Sequence, residues 1–271
     1  MGELVARKRL ARNDGCDPRA MTVKMLEAAI RRGDEHAFAK SKSMLASSWT
    51  RFRGTKFFDL LAASPLIAWY WLGLHNLFPL LVHRAHELSA GSIGLNHLLQ
   101  FAAVVGSASF NLAAIVLLTI RTKPLLRSKG ILPRLTGFAG SFFGASLFFL
   151  PAVDLSLPLQ AISNILIFGG CGGALFVLFW LGRGFAMLPE ARRLDMSGPY
   201  ALVRHPLYVC ETIAFLGLVL QFQQPWALGI MLVGSILMAA RSMFEERVLE
   251  EQFPDYAAYR FRTARFVPGI Y

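Results

Sequence analysis

The sequence predicts an all-α, polytopic membrane helical bundle of about six transmembrane helices with a short C-terminal helical hairpin. Hydrophobic residues make up 55% of the 271-residue chain and charged residues only 17%, whereas soluble domains average roughly 45–50% and about 25%. The mean hydropathy is +0.46. This apolar content excludes a disordered chain, and three dispersed cysteines exclude a disulfide scaffold.

Six apolar segments have the length and composition of membrane spans, because a bilayer core of about 30 Å needs roughly 20 apolar helical residues. They are 57–81, 98–120, 135–153, 157–181, 207–222 and 225–240. The last two are short and are separated only by Gln223 and Gln224, so we expect a tight helical hairpin. The fourth segment carries four glycines between Gly169 and Gly173, and small residues of this kind let helices approach closely.

The basic residues fall almost entirely on one side of this six-span arrangement. Of 28 lysines and arginines, 27 lie in the terminal segments and in the loops 121–134 and 182–206, and only Arg84 lies in a loop on the opposite side. Because Lys and Arg concentrate in cytoplasmic loops, we expect both termini to be cytoplasmic. The basic, compact organisation favours a bacterial inner membrane, with the endoplasmic reticulum as the alternative. The net charge of +11 is then explained by anionic lipid, and no nucleic-acid partner is expected.

The chain divides into three predicted regions. Residues 1–56 form a basic cytoplasmic segment with weak helical amphipathicity at 21–39, residues 57–181 form a four-span membrane region, and residues 182–271 form a C-terminal core. Cysteine and histidine spacings do not suggest a zinc site. The chemistry is therefore expected in the C-terminal core, without a metal.

The first informative stretch of that core reads SGPYALVRHPLY, residues 197–208. Gly198-Pro199 predicts a turn, and Pro206 suits the first turn of a helix, where its missing N–H is no loss. The fifth helix is therefore predicted to begin at about Pro206, with His205 at its mouth. The free N–H groups of that first turn attract anions, including carboxylates.

The second informative stretch follows the sixth segment and contains Arg241 and Glu245. These two residues are four apart and share one helical face. The spacing alone is also typical of a salt bridge at a membrane boundary. A short hairpin returns this face to the mouth of the fifth helix, so we expect the pair to converge with His205 and Tyr208 on one cytoplasmic site.

Together these residues resemble the isoprenylcysteine carboxyl methyltransferases and the wider group of phospholipid methyltransferases. The resemblance covers about residues 180–271 and rests on the R-H-P-x-Y sequence from Arg204 to Tyr208, followed after a short hairpin by Glu245-Glu246. It implies an integral membrane enzyme that uses S-adenosyl-L-methionine, held by C-terminal cytoplasmic elements. The residues that the resemblance assigns to the cofactor are Leu194, Tyr200, His205, Pro206, Leu207, Tyr208 and Glu245.

The resemblance also assigns catalytic roles to Arg241 and Glu245. Arg241 faces the methyl acceptor, which we expect to be the carboxylate of an isoprenylcysteine-like or other lipophilic acid, embedded in membrane lipid. A carboxylate is ionised near pH 7 and needs no base, and Arg241 holds it ideally as a bidentate pair. Glu245 balances the positive charge of the cofactor.

Other functions stay open at this point. A phospholipid amine acceptor requires a base, for which Glu245 and Glu246 are the candidates. An NADPH-dependent membrane sterol or steroid reductase has a related C-terminal helical architecture. A transport or binding protein is the non-enzymatic alternative, because the fifth segment carries Glu211 and intramembrane acids are often functional; Glu211 at the cofactor pocket is the other interpretation.

Overall fold

The computed structural model describes residue 52 and residues 55–91, 94–186 and 188–269. The chain separates into two compact units, 1–61 and 62–271, and the site lies wholly in the second. The amphipathic stretch predicted at 21–39 lies outside the described residues. Within the described residues, helices dominate and four of them are long and apolar enough to cross a membrane. The predicted class, an all-α polytopic membrane bundle, is confirmed.

The helices and strands follow one another in a simple order. They are α1 (Lys56–Ser89), α2 (Leu95–Ile120), β1 (Leu126–Arg127), α3 (Leu132–Phe142), α4 (Leu157–Leu181), β2 (Glu190–Ala191), α5 (Pro199–Leu202), α6 (Pro206–Val219), α7 (Trp226–Gln252) and α8 (Tyr256–Arg262). Short 3-10 helices extend α3 over Phe143–Phe149 and α4 over Gly182–Gly184. The four helices with the length of a span are α1, α2, α4 and α7.

Two of the six predicted spans form shorter elements. The third is divided, because α3 ends at Phe142 and a 3-10 helix follows it. The fifth, α6, has 14 residues, which cover about 21 Å at 1.5 Å per residue, less than a bilayer core of about 30 Å. By contrast, α7 continues to Gln252, twelve residues beyond the predicted end of the sixth span. Arg241 and Glu245 therefore lie on a helical extension of that span.

Helix α4 packs most closely against α6, and glycines are the reason. A Cβ added at Gly170 would collide with the backbone of Cys210 and Ala214 of α6, and one at Gly173 would lie 2.8 Å from the Sγ of Cys210. The packing is equally close at Gly217 of α6, where an added Cβ would lie 2.6 Å from the carbonyl oxygen of Ser163. The predicted role of the glycine cluster is confirmed for the two glycines that face α6.

Loops at one end of the bundle are joined by backbone hydrogen bonds. We call this end of the bundle, where α4 ends and α6 begins, the motif end. Strands β1 and β2 pair antiparallel there. The backbone N–H groups of Arg204 and His205 donate to the carbonyl oxygens of Ala264 and Arg265 at 2.8 and 3.1 Å, so the segment after α8 is fixed against the start of α6.

Candidate active site

The turn before α6 is shaped by Gly198 and Pro199. Gly198 has φ of 58°, and a Cβ there would run into the ring of Trp180, so the position requires glycine on two grounds. Pro199 then starts α5, and Pro206 starts α6. The predicted helix start is thus found at Pro206. His205 precedes the helix in a non-helical conformation, with its ring directed at the neighbouring elements.

A buried charge cluster forms around Glu246. Its Oε1 accepts from Arg204 Nε at 3.0 Å and from Arg265 Nε at 3.0 Å, and lies 3.1 Å from His205 Nε2. Its Oε2 accepts from Arg265 Nη2 at 2.8 Å. Glu246 is only 3% exposed. This carboxylate links α7 to the start of α6 and to the segment after α8.

A second group forms around Tyr208 of α6 and Glu245, the residue before Glu246 on α7. The Tyr208 hydroxyl donates to Glu245 Oε2 at 2.7 Å, and its ring is stacked on the ring of His205, with 5.2 Å between the centroids. On its other side, the guanidinium carbon of Arg241 lies 4.9 Å from the Tyr208 ring centroid. Arg241 also lies 3.4 Å, through Nη1, from the hydroxyl of Ser141. The predicted convergence of Arg241, Glu245, His205 and Tyr208 is therefore observed.

A small cavity of about 70 Å³, here the motif pocket, lies between β2, α5, α6 and α7. Six of the residues assigned to the cofactor line it: Leu194, Tyr200, His205, Leu207, Tyr208 and Glu245. Among the described residues, Asp195 Oδ2 and the Tyr256 hydroxyl are buried there without a hydrogen-bond partner. The pocket thus offers unmet polar groups to a polar ligand.

Three tyrosines surround the motif pocket and stay protonated. Burial raises the pKa of Tyr200, Tyr256 and Tyr259 well above the usual value. The Tyr259 hydroxyl donates to the Tyr200 carbonyl oxygen at 2.7 Å, which connects α8 to α5. The Tyr256 hydroxyl is a buried donor without a partner among the described residues.

A second and much larger cavity of about 670 Å³, here the chamber, lies inside the membrane part of the bundle. Along α4 it reaches from Gln160 to Ala174, about 21 Å of helix. Its walls are mostly apolar and come from the helices α1, α2, α3, α4, α6 and α7. Arg241 and Glu211 line it close to the motif end. Such an elongated apolar cavity suits a lipid chain.

The structure separates the predicted site residues into these two cavities. Arg241 lines the chamber rather than the motif pocket, and Pro206 starts α6 without lining either cavity. Among the described residues, Arg241 has no carboxylate within the 4.0 Å of an ion pair, so the boundary salt bridge with Glu245 is not formed. Glu211 lines the chamber and not the motif pocket, which corrects its placement at the cofactor. That the other residues bind a cofactor stays a prediction.

Two residues gain their roles only from the structure. Glu246 was a candidate base from its position beside Glu245, but three cationic or imidazole side chains occupy its oxygens. Asp195 lines the motif pocket beside Leu194, a residue that the resemblance assigned to the cofactor. Within the described part of the chain, no group of three or more His, Cys, Asp and Glu side chains is arranged to hold a metal ion.

One region of the chain matches a known protein family. Residues 160–256 match the family model described as phospholipid methyltransferase. The match contains most of α4, the turn before α6, and α7 with both glutamates. It begins earlier than the resemblance read from the motifs, which started at about residue 180, and so includes the glycines that pack α4 against α6.

Two relatives carry names that refer to metal resistance. The chain is 40% identical over 78 residues to the cobalt-zinc-cadmium resistance protein CzcN of Cupriavidus metallidurans, covering 28% of this chain and 36% of the relative. It is 32% identical over 82 residues to the nickel-cobalt-cadmium resistance protein NccN of Alcaligenes xylosoxydans xylosoxydans, covering 30% and 38%. The matches thus span little more than a third of either relative. The family match and the apolar helices together indicate an integral membrane protein whose residues 160–256 are similar to the phospholipid methyltransferase family.

Proposed function

We propose that this protein transfers a methyl group from S-adenosyl-L-methionine to the carboxylate of a lipophilic acceptor within the membrane. The observation that carries the proposal is the contact between one side chain of each cavity. Tyr208 lines the motif pocket, and Arg241, which lines the chamber, lies 4.9 Å from its ring centroid. A polar donor in the pocket and an apolar acceptor in the chamber would then lie on the two sides of this contact.

The residues of the motif pocket fit the cofactor in chemistry. Glu245 and Asp195 offer carboxylate oxygens, Tyr256 offers a buried hydroxyl, and the first turn of α6 offers backbone N–H groups to a carboxylate. S-adenosyl-L-methionine supplies an electrophilic methyl group on a positively charged sulfur. Glu245, fixed by the Tyr208 hydroxyl, would balance that positive charge.

The enclosed volume of about 70 Å³ equals roughly two water molecules at ~30 Å³ each. A nucleoside cofactor is larger, so binding requires one wall of the pocket to move. Residues 192–195 form a wall that is neither helix nor strand, and this is the wall that we expect to yield. Hydrogen exchange in residues 192–195 should slow when the cofactor is added.

Arg241 would position the acceptor. Its side chain is 4% exposed and its Nε has no partner among the described residues. Part of its guanidinium group is therefore available to a carboxylate. Holding two reactants in line contributes up to roughly 7–11 kcal/mol to a methyl transfer. The carboxylate needs no base, so positioning and charge balance are sufficient.

The two glutamates are poorly placed to act as a base for an amine acceptor. Glu245 already accepts the Tyr208 hydroxyl, and Glu246 is surrounded by Arg204, Arg265 and His205. Both oxygens of Glu246 are thus occupied, and Glu245 lines the motif pocket and not the chamber, so neither carboxylate is placed to act as a base for an ammonium group in the chamber. The names of the two relatives refer to metal resistance. The proposed methyl transfer requires only a donor site in the motif pocket and an acceptor site in the chamber.

The experiment that tests the proposal uses the purified protein in lipid nanodiscs. Calorimetry should show binding of S-adenosyl-L-methionine and none of NADPH, and incubation with labelled methyl donor and lipid extract should give a labelled, base-labile methyl ester. The Glu245→Gln variant should bind the cofactor roughly ten- to a hundredfold more weakly, the effect of one charge-assisted contact. Tight NADPH binding, or a base-stable methylamine product, would contradict the proposal.

We further propose that the motif end faces the cytoplasm of a bacterial cell, because 27 of 28 basic residues fall on that side of the six-span arrangement. Single cysteines at exposed Lys129 and Ala90 report the two sides. A membrane-impermeant thiol reagent applied outside spheroplasts should label Ala90→Cys and not Lys129→Cys, with the parent protein as background. The reverse pattern would invert the topology.

A further inference from the structure

Glu211 is a charged residue of the chamber that the proposed reaction does not use. It lies on α6 one turn beyond Tyr208 and lines the chamber close to Arg241. Among the described residues its carboxylate makes no hydrogen bond and no ion pair. A charged acidic side chain in a membrane segment is costly unless it has a partner, so Glu211 provides a carboxyl group that a cationic ligand group would stabilise.

Arg241 is in a similar position on α7. It is 96% buried, since its exposed fraction is 4%, and its Nε has no partner among the described residues. Among the described residues, its guanidinium group contacts the Tyr208 ring and the Ser141 hydroxyl. Arg241 and Glu211 thus place opposite charges at the same end of one apolar cavity, further apart than the 4.0 Å of an ion pair.

Opposite charges in a poorly hydrated cavity are stable when each has a partner of the other sign. A single head group with an anion and a cation satisfies both at once, with its anion at Arg241 and its cation at Glu211. A head group that carries only a carboxylate satisfies Arg241 but is repelled by Glu211. The pair therefore selects for a zwitterion.

The chamber volume limits the apolar part of the ligand. About 670 Å³ corresponds to roughly 22 volumes of ~30 Å³, the share of one water molecule in the liquid. A methylene group is of similar size, so one long alkyl or isoprenoid chain fills the chamber, and a lipid with two such chains exceeds it.

We propose that the chamber binds a single-chain amphiphile whose head group carries both a carboxylate and a protonated amine, as in a long-chain amino acid, with Arg241 on the carboxylate and Glu211 on the ammonium. This inference rests on the proposed function. The methyl group goes to a carboxylate oxygen, where the new O–CH3 bond forms as the S–CH3 bond breaks. The electron pair of the broken bond stays on sulfur, and the ammonium keeps its protons.

Three probes of equal chain length separate the charges: S-hexadecyl-L-cysteine has both, N-acetyl-S-hexadecyl-L-cysteine has only the carboxylate, and hexadecylamine has only the ammonium. The full-length protein in nanodiscs should prefer the first over the second by tenfold or more, in binding by calorimetry and in kcat/KM. Glu211→Gln should abolish this preference by weakening the zwitterion ten- to a hundredfold, with the N-acetyl probe unchanged or improved. Asp154→Asn is the matched control, because it removes an acid from the far end of the same chamber, and it should preserve the preference.

The outcomes separate the two proposals. Equal binding of the first two probes to the parent protein would overturn the proposed preference for a zwitterion. An equal loss of affinity for both probes in Glu211→Gln would do the same. Methylation on nitrogen that disappears in Glu211→Gln would also overturn it, since Glu211 would then act as a base. Selective binding of the zwitterion without methyl transfer would support this inference and overturn the proposed function.

Discussion

Glu245 and Glu246 are neighbours in sequence and belong to two different environments. Glu246 is almost fully buried, and both its oxygens accept from cationic side chains of two other segments. Glu245 is half-buried, lines the motif pocket and accepts a hydrogen bond from the Tyr208 hydroxyl. One glutamate holds segments together, and the other is left with capacity for a ligand.

The difference follows from helix geometry. Successive residues of an α-helix point about 100° apart, since one turn takes 3.6 residues. Arg241 and Glu245, four apart, face the same side, while Glu246 faces the segment after α8. Two adjacent acids on a helix thus need not act together. Four substitutions test whether residues that hold the fold together differ from residues that face a ligand, from the largest expected effect to the smallest.

Glu246→Gln should lower the stability of the protein most. The change keeps the shape but leaves Arg204 and Arg265 with a neutral partner, and breaking a buried ion pair costs about 3–5 kcal/mol. Unfolding by SDS titration measures the loss. Glu245→Gln is the matched control and should lose less than about 1 kcal/mol; an equal loss in both variants would remove the distinction between them.

Arg241→Lys should reduce methyl transfer roughly ten- to a hundredfold while leaving cofactor affinity unchanged. Lysine keeps the charge and loses the planar fork that binds a carboxylate through two nitrogens, and each charge-assisted hydrogen bond contributes about 1.5–3 kcal/mol. Arg241→Ala should be slower still. Kinetics and cofactor calorimetry on both variants give the result, and near-parental turnover in Arg241→Ala would show that the acceptor is held elsewhere.

Tyr208→Phe should weaken cofactor binding by about 0.5–1.5 kcal/mol, the usual contribution of one hydrogen bond. The ring contacts with His205 and Arg241 are kept, and only the hydroxyl that fixes Glu245 is lost. In the Glu245→Gln background the same change should have a smaller effect, because the two residues act as a pair. Strict additivity in this double-mutant cycle would mean that Tyr208 acts independently of Glu245.

Lys129→Ala should change stability by no more than about 0.2–1 kcal/mol. Lys129 pairs with Glu251 at 3.0 Å, but their side chains are 83% and 55% exposed. Both residues belong to the motif end, so this variant measures how far exposure alone reduces the contribution of an ion pair to stability there. A loss as large as that of Glu246→Gln would show that burial does not explain the contrast.

The membrane class and the start of α6 were accessible from local sequence. Hydrophobic length alone gave Leu157–Leu181 with the bounds that the structure has, and Pro206 marked the start of α6. The third and fifth spans were overestimated, because a count of apolar residues does not reveal where α3 changes into a 3-10 helix or that α6 ends at Val219. The motif residues converge as the short hairpin predicted.

The sequence by itself determined the all-α membrane class, the asymmetry of charge and the candidate side chains for binding a donor and an acid. These are properties of composition and short spacing, which no packing alters. Only the tertiary structure decided that Glu246 belongs to the fold and that Glu211 shares a chamber with Arg241. It also placed residues 264 and 265 beside the start of α6. Each of these joins residues far apart in the chain, and such contacts depend on how helices rotate and pack against one another.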